Sequence, residues 1–169
     1  MTSKFQRKLE KIKNDELYIE CVKDVFNSEA VNKMNEFIQH GKITTLEHCI
    51  NVSYKSFKIA KKLKLDYKSA ARAGLLHDLF LYDWHLEPKG VKLFQKHGFT
   101  HPKKALENSL KYFNLNDKEK DIIEKHMWPL TLRKVPKYKE SFLISIVDKY
   151  AACGETISPL LDKISGYLL

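Results

Sequence analysis

The chain has 169 residues, enough for one domain with its own core, and its six glycines and five prolines are few for a loop-rich or all-β protein. No apolar run approaches the roughly 18 residues that a membrane helix needs. The formal charge is +9, but the lysines are spread along the chain and only Arg7, Arg72 and Arg133 are arginine; this argues against nucleic acid as a main partner and suits the steering of a small anion.

Taken in chain order, residues 1–14 are polar and strongly basic and read as a frayed helix or a disordered tail. Two helical patterns follow between Asp15 and His40. The second begins near Ser28, aligns Ala30, Val31, Met34, Phe37 and Ile38 on one face, and ends at Gly41. Thr44 or Thr45 caps a third helix running to about Leu63, with Val52, Phe57, Ala60 and Leu63 inward. Asp66 caps a fourth, whose Ala70, Ala71, Ala73 and Gly74 let neighbouring backbones come close just before His77-Asp78. Residues 81–100 read as a loop with one short helix. Pro102 suits the first turn of the next helix, where Leu106, Leu110 and Phe113 align. Asn116 and Glu119 form a capping box for a helix through Ile122 and Ile123 to His126, closed by Pro129. The last strong helix spans about Lys137 to Cys153, with Phe142, Leu143, Ile146, Val147 and Tyr150 as its buried stripe and Gly154 as its stop. The apolar tail from Ile157 packs back as a short helix. With no alternating strand of useful length, the fold class is all-α.

Cys21, Cys49 and Cys153 show no C-x-x-C spacing, so reduced thiols are expected, and with a charged N-terminus lacking a signal peptide the expected compartment is the cytoplasm. His48, His77, Asp78, His101, His126 and Asp148 each fall on a different helix or helix end, apart from the adjacent pair His77-Asp78. Inward side chains so placed can converge on metal in a bundle core. Imidazole with carboxylate is the ligand set that suits Fe, Mn, Zn, Co or Ni. Asp148 follows Ile144, Ile146 and Val147, and a buried carboxylate there requires a cation or several donors. A lone histidine on an apolar stripe is more often a hydrogen-bonded core residue; six residues in this order are a stronger signal. Arg133, Lys104 and Lys55 are candidate phosphate contacts, each weighed against a solvated surface charge. Tyr82, Trp84 and Trp128 are candidate pocket walls, weighed against packing. Cys49 reads as packing, and His85 and His97 as loop histidines.

His48, then Leu75-Leu76-His77-Asp78, then Val147-Asp148 resembles the H…HD…D signature of the HD superfamily of metal-dependent phosphohydrolases, over roughly Ile43 to Cys153. With His101 and His126 the pattern is similar to the H…HD…H…H…D branch, which holds two metals and includes the bacterial dinucleoside-tetraphosphate hydrolases. The resemblance implies a compact HD-domain helical bundle over 43–169, with 1–42 as an N-terminal helical extension of one structural domain. It implies two divalent transition metals, one on His48, His77, Asp78 and Asp148, the other on Asp78, His101 and His126. Asp78 is then the bridging, catalytic residue, and a metal-bridged hydroxide attacks a phosphate ester or anhydride of a nucleotide or dinucleotide. The Leu79-Phe80 that follows Asp78 departs from the Gly-Lys of the cyclic-di-GMP phosphodiesterase branch. Two alternatives stay open on the same ligands: an HD-type di-iron oxygenase and a non-catalytic metal-binding regulatory module. A homodimer is compatible with either, and residues 1–42 are free to mediate it.

Overall fold

The computed structural model describes residues 4–88, 90 and 92–167, with side chains as far as residue 157. Its described residues form eight α-helices and one small hairpin: α1 Lys4–Lys13, α2 Glu16–Phe26, α3 Glu29–Lys33, β1 Ile38–His40, β2 Ile43–Thr44, α4 Thr45–Lys62, α5 Tyr67–Leu76, α6 His97–Tyr112, α7 Asp117–Lys125 and α8 Lys139–Tyr167. The fold is an all-α bundle, in which α5 packs against α2, α4, α6, α7 and α8. Residues of the first three helices, among them Ile12, Tyr18, Val22, Val25 and Val31, share one buried cluster with Val52, Phe57, Leu75, Leu76, Ile122 and Ile144.

The expected caps hold the ends of the central helices. Thr44 accepts from the Glu47 amide (3.2 Å) while the Glu47 carboxylate accepts from the Thr44 amide (3.1 Å). Asn116 and Glu119 repeat the arrangement at α7, and Asp66 accepts from the Ser69 amide at α5. Gly74 brings α5 onto α4: a Cβ there would stand 2.9 Å from the Cα of Ser53.

Several expectations are corrected. The N-terminal residues from Lys4 form an ordered helix, because Ile12 is fully buried and Phe5 and Leu9 pack on the core beside it. The helix from Ser28 ends at Lys33, and Phe37 and Ile38 lie beyond it. The chain instead makes a one-residue-bulged hairpin, Ile38 opposite Thr44 and His40 opposite Ile43, turning at Gly41 with a φ of 60°. Helix α6 begins at His97, five residues before Pro102, and there the Glu87 carboxylate accepts from the His97 amide (2.8 Å). Leu63, at the end of α4, and Leu110 are exposed. The inner face of α6 carries His101, Ala105, Asn108 and Ser109, and Asn108 donates to the carbonyls of Leu79 (2.8 Å) and Phe80 (3.2 Å). Among the described residues of α8 the buried ones are Glu140, Ser141, Ile144, Ser145, Val147, Asp148 and Ala151, while Ile146 and Tyr150 face out. Gly154 does not stop that helix, which continues to Tyr167. In α6 and α8 the same physics turns the helix: polar groups with partners inside displace apolar side chains that lack a place there.

Candidate metal centre

The close α4–α5 contact places His48, on α4, beside His77 and Asp78, which follow α5. The residue His101 on α6, His126 at the end of α7 and Asp148 on α8 close the cluster, and all six are buried. Donor atoms of three sets lie within 4.8 Å of one another: His48, His77 and Asp78; Asp78, His101 and His126; His77, His126 and Asp148. Asp78 faces both ways. Its Oδ1 is 3.2 Å from His101 Nε2 and 3.4 Å from His126 Nε2, and its Oδ2 is 3.4 Å from His77 Nε2. Asp148 Oδ1 lies 3.0 Å from His48 Nε2 and 3.6 Å from His77 Nε2.

The imidazoles are turned by the backbone. Nδ1 of His77, His101 and His126 meets the carbonyls of Gly74 (2.9 Å), His97 (2.8 Å) and Ile123 (2.9 Å). A carbonyl only accepts, so each Nδ1 carries a hydrogen, and in the neutral ring each Nε2 presents a lone pair inward. His101 Nε2 and His126 Nε2 are 2.8 Å apart, and both face a carboxylate oxygen. With both rings neutral, two lone pairs and an anion repel one another, and a shared cation would relieve all three. His77 Nε2 and Asp78 Oδ1 are moreover buried without a hydrogen-bond partner. The donor set fits a divalent transition metal.

Charge tells the same story. Burial works against ionised Asp78, but His77 and His101 hold its carboxyl well below the usual range. Burial likewise opposes ionised Asp148, and His48 and His77 outweigh it. The matching positive charge falls on His77, raised well above 6.5 mainly by Asp78 against its burial, and on His48. Burial opposes the His48 imidazolium, yet bonds to Asp148 and Glu155 push its pKa up to about 10. A metal ion bound among them would supply that charge in their place. Burial holds His126 down, to about 4, with His101 and His77 adding to it, so this ring is neutral as a ligand must be.

Further residues act on the centre from behind. Gln39, on β1, donates its amide to Asp78 Oδ2 (2.7 Å), and its own oxygen faces the Thr45 hydroxyl (3.4 Å). Glu155 accepts from His48 Nδ1 (2.7 Å) and from the Asn51 amide (3.0 Å). Neither stands out in sequence. Glu155 follows Gly154, which reads as a helix stop, and Gln39 sits in a segment that reads as helix.

A cavity of about 410 Å³ opens onto Asp78, His101, His126 and Asp148. Trp84 and His97 wall it, their rings stacked at 5.1 Å, and His97 stacks in turn on His101 at 4.4 Å. Its lysines are Lys96 and Lys149. The Lys149 ammonium donates to the His126 carbonyl (2.8 Å) and lies 3.6 Å from Asp148 Oδ2. Tyr82 bonds His97 Nδ1 (2.9 Å) from outside the cavity lining. Trp128 packs edge-on against Phe142. The three basic residues picked from the sequence stand elsewhere. Lys55 lies over the Tyr150 ring in a different cavity, Lys104 pairs with Glu107 at 3.8 Å, and Arg133 is exposed in the loop after α7. The seven-residue step from His48 to Lys55 keeps the helix face but moves two turns, about 10 Å, along the axis. Cys49 is buried, its sulfur 3.8 Å from His77 Nδ1.

The family profile for the HD domain matches residues 45–153, from the first turn of α4 to the middle of α8. The chain belongs to the HD-domain family. That family is mostly one of metal-dependent hydrolases, and the clustered histidines and aspartates fit an HD metal site. Gln39 and Glu155 fall just outside the two ends of the match. Comparison with curated proteins and with solved structures gives no match.

Proposed function

We propose that this HD domain holds two divalent transition metals (Fe, Mn, Zn, Co or Ni) and hydrolyses a phosphate ester or anhydride of a nucleotide or dinucleotide. The observation that carries the reading is the convergence of His101 Nε2 and His126 Nε2, 2.8 Å apart, on Asp78 Oδ1, with both Nδ1 atoms tied to backbone carbonyls. This calls for a cation between them, separate from the group formed by His48, His77, Asp78 and Asp148. Asp78 gives one oxygen to each side, the arrangement of a bridging carboxylate.

Metal bound there lowers the pKa of water towards neutrality and offsets the charge of the phosphate. The chain's own residues supply the rest. Asp78 is the acceptor for a proton released beside it, and Gln39 keeps that carboxylate from rotating. Lys149 and Lys96 place positive charge at the cavity where phosphate oxygens would lie, and the flat Trp84–His97 pair offers a face on which a base stacks.

The test is elemental analysis of anaerobically purified protein followed by a panel of nucleotides and dinucleoside polyphosphates. Two metals per chain and hydrolysis abolished by chelator are expected. Oxygen consumption with a small diol or phosphonate, leaving nucleotides intact, would replace hydrolysis with oxygenation on the same cage. Metal without turnover of any kind would leave a regulatory module.

A further inference from the structure

Lys55, which stands away from the metal centre, lines a second cavity of about 610 Å³. Three ammonium groups meet there from separate elements: Lys8 on α1, Lys42 in the hairpin turn and Lys55 on α4. Like charges gathered around one space repel one another unless an anion joins them. The two carboxylates in the same wall are already engaged. Glu47 accepts from the Thr44 amide (3.1 Å), and Glu155 accepts from His48 Nδ1 (2.7 Å) and from the Asn51 amide (3.0 Å). Lys55 lies over the Tyr150 ring at 4.8 Å, and neither it nor Lys42 forms an ion pair with a carboxylate among the described residues. The remaining wall is apolar, with Phe5, Ile43, Tyr150 and Ile157. Lysines suit phosphate oxygens, and an aromatic and aliphatic wall suits a base. Pockets for small molecules occupy about 300–1,000 Å³, so a nucleotide fits the space.

One chain of polar groups joins this cavity to the metal centre. Lys8 donates to the side-chain oxygen of Asn51, Asn51 donates to Glu155, and Glu155 accepts from His48 Nδ1. The geometry points to a second ligand site, for a phosphorylated molecule of nucleotide size, whose occupation tightens metal binding at His48. An anion that draws Lys8 from Asn51 weakens the polarisation of the Asn51 amide, which then donates less strongly to Glu155. Glu155 in turn holds the His48 Nδ1 hydrogen more firmly, and Nε2 becomes a better ligand. The negative charge of the anion attracts a cation at the centre as well. The coupling rests on the metal reading above, whereas the binding site does not.

The probe is AMP, titrated calorimetrically into the full-length protein in chelator, with thiol labelling in parallel. Cys21 and Cys49 are buried, and the exposed Cys153 lines the cavity, so labelling of the folded protein reads this site. AMP should bind, and at about ten times its Kd the Cys153 labelling rate should fall roughly tenfold. Lys42→Gln with Lys55→Gln should weaken AMP roughly tenfold. Lys149→Gln, at the other cavity, should leave the protection of Cys153 unchanged. If the double variant fails to fold, Lys42→Gln alone, in an exposed turn, should weaken AMP roughly threefold. In a titration against free zinc, saturating AMP should tighten metal binding roughly fivefold in the wild type and not in the lysine variant. Absence of AMP binding, or binding that leaves Cys153 labelling unchanged, would overturn the site. Protection of Cys153 with an unchanged zinc affinity would overturn the coupling. Protection in a protein that binds no zinc would support the site and sink the metal reading instead.

Discussion

Gly74→Ala tests the helix contact on which the centre is built. The new Cβ would lie 2.9 Å from Ser53 Cα, 3.4 Å from Ser53 N and 3.2 Å from Ile144 Cδ1. The Ile144 methyl can rotate away, but the Ser53 backbone cannot. It is pinned by a Ser53 hydroxyl that donates to the Ala71 carbonyl (2.6 Å) and meets the Tyr18 hydroxyl (2.8 Å). Overpacking of this kind costs about 1–3 kcal/mol. Alanine returns up to about 1 kcal/mol through its better helix propensity. A clash with backbone falls in the upper part of that range, about 2–3 kcal/mol, so the net loss is about 1–2 kcal/mol in metal-free protein, measured by urea unfolding in chelator. A second effect is separable. The Gly74 carbonyl accepts from His77 Nδ1 (2.9 Å), so moving it tilts a metal ligand, and loss of such an orienting bond typically costs 10–100-fold in metal affinity. A metal titration reads that effect. A variant as stable as the wild type without metal would refute the tight approach of α4 and α5. A destabilised variant with wild-type metal affinity would refute the role of the Gly74 carbonyl.

Asp78→Ala should abolish metal-dependent hydrolysis and lower metal content; turnover near the wild-type level would remove Asp78 from the bridging position. His101→Ala should release one of two metals, read by elemental analysis, while the circular dichroism of the bundle is unchanged. Glu155→Gln keeps the shape but removes the charge that His48 Nδ1 faces, so metal affinity should fall roughly 10–100-fold; an unchanged titration would show that Asp148 alone orients His48. Glu140 reports acid stability apart from the metal site. Burial raises its pKa, but bonds from Lys118 (2.9 Å) and the Asp66 amide (2.8 Å) outweigh it and leave it below 4.5. Its ionised form therefore stabilises the fold above the unfolded value, and that contribution is lost as pH falls through the lower folded one. In chelator, Glu140→Gln should lose less of its urea midpoint on acidification than the wild type does, and equal losses would discount this carboxylate.

The parts of the fold legible in the sequence are those decided locally. Thr44 with Glu47, Asn116 with Glu119, and Asp66 each satisfy amides within one turn, so a short window contains the whole cause. What was hidden depends on partners far along the chain. The register of α8 is set by Asp148 and Ser141 turning inward, the latter to donate to Asp121 (2.7 Å), and no count of apolar residues within the helix contains Asp121. The hairpin at Ile38–Thr44 is hidden for the same reason: the Gln39 side chain finds Asp78, thirty-nine residues away. Helix α1 was different. Phe5, Leu9 and Ile12 carry the spacing of a buried stripe, but the basic residues around them mask it.

The clustered histidines and aspartates and the lysines at the cavity differ in legibility for a chemical reason. A ligand must be one of a few residue types, must be buried, and comes with others at helix junctions, so the set constrains itself. A lysine that serves a phosphate needs only to reach, and this chain offers many. Lys149 shows what the sequence lacks. It adjoins Asp148, and burial lowers its pKa even with that carboxylate beside it. The ammonium is partly withdrawn from water, and the His126 carbonyl holds it at 2.8 Å. The same residue that turns an imidazole Nε2 towards the metal thus offers its carbonyl to the cation at the cavity wall. His126 touches both the histidine–aspartate cluster and the cavity wall, a connection that exists only once α7 and α8 are packed together.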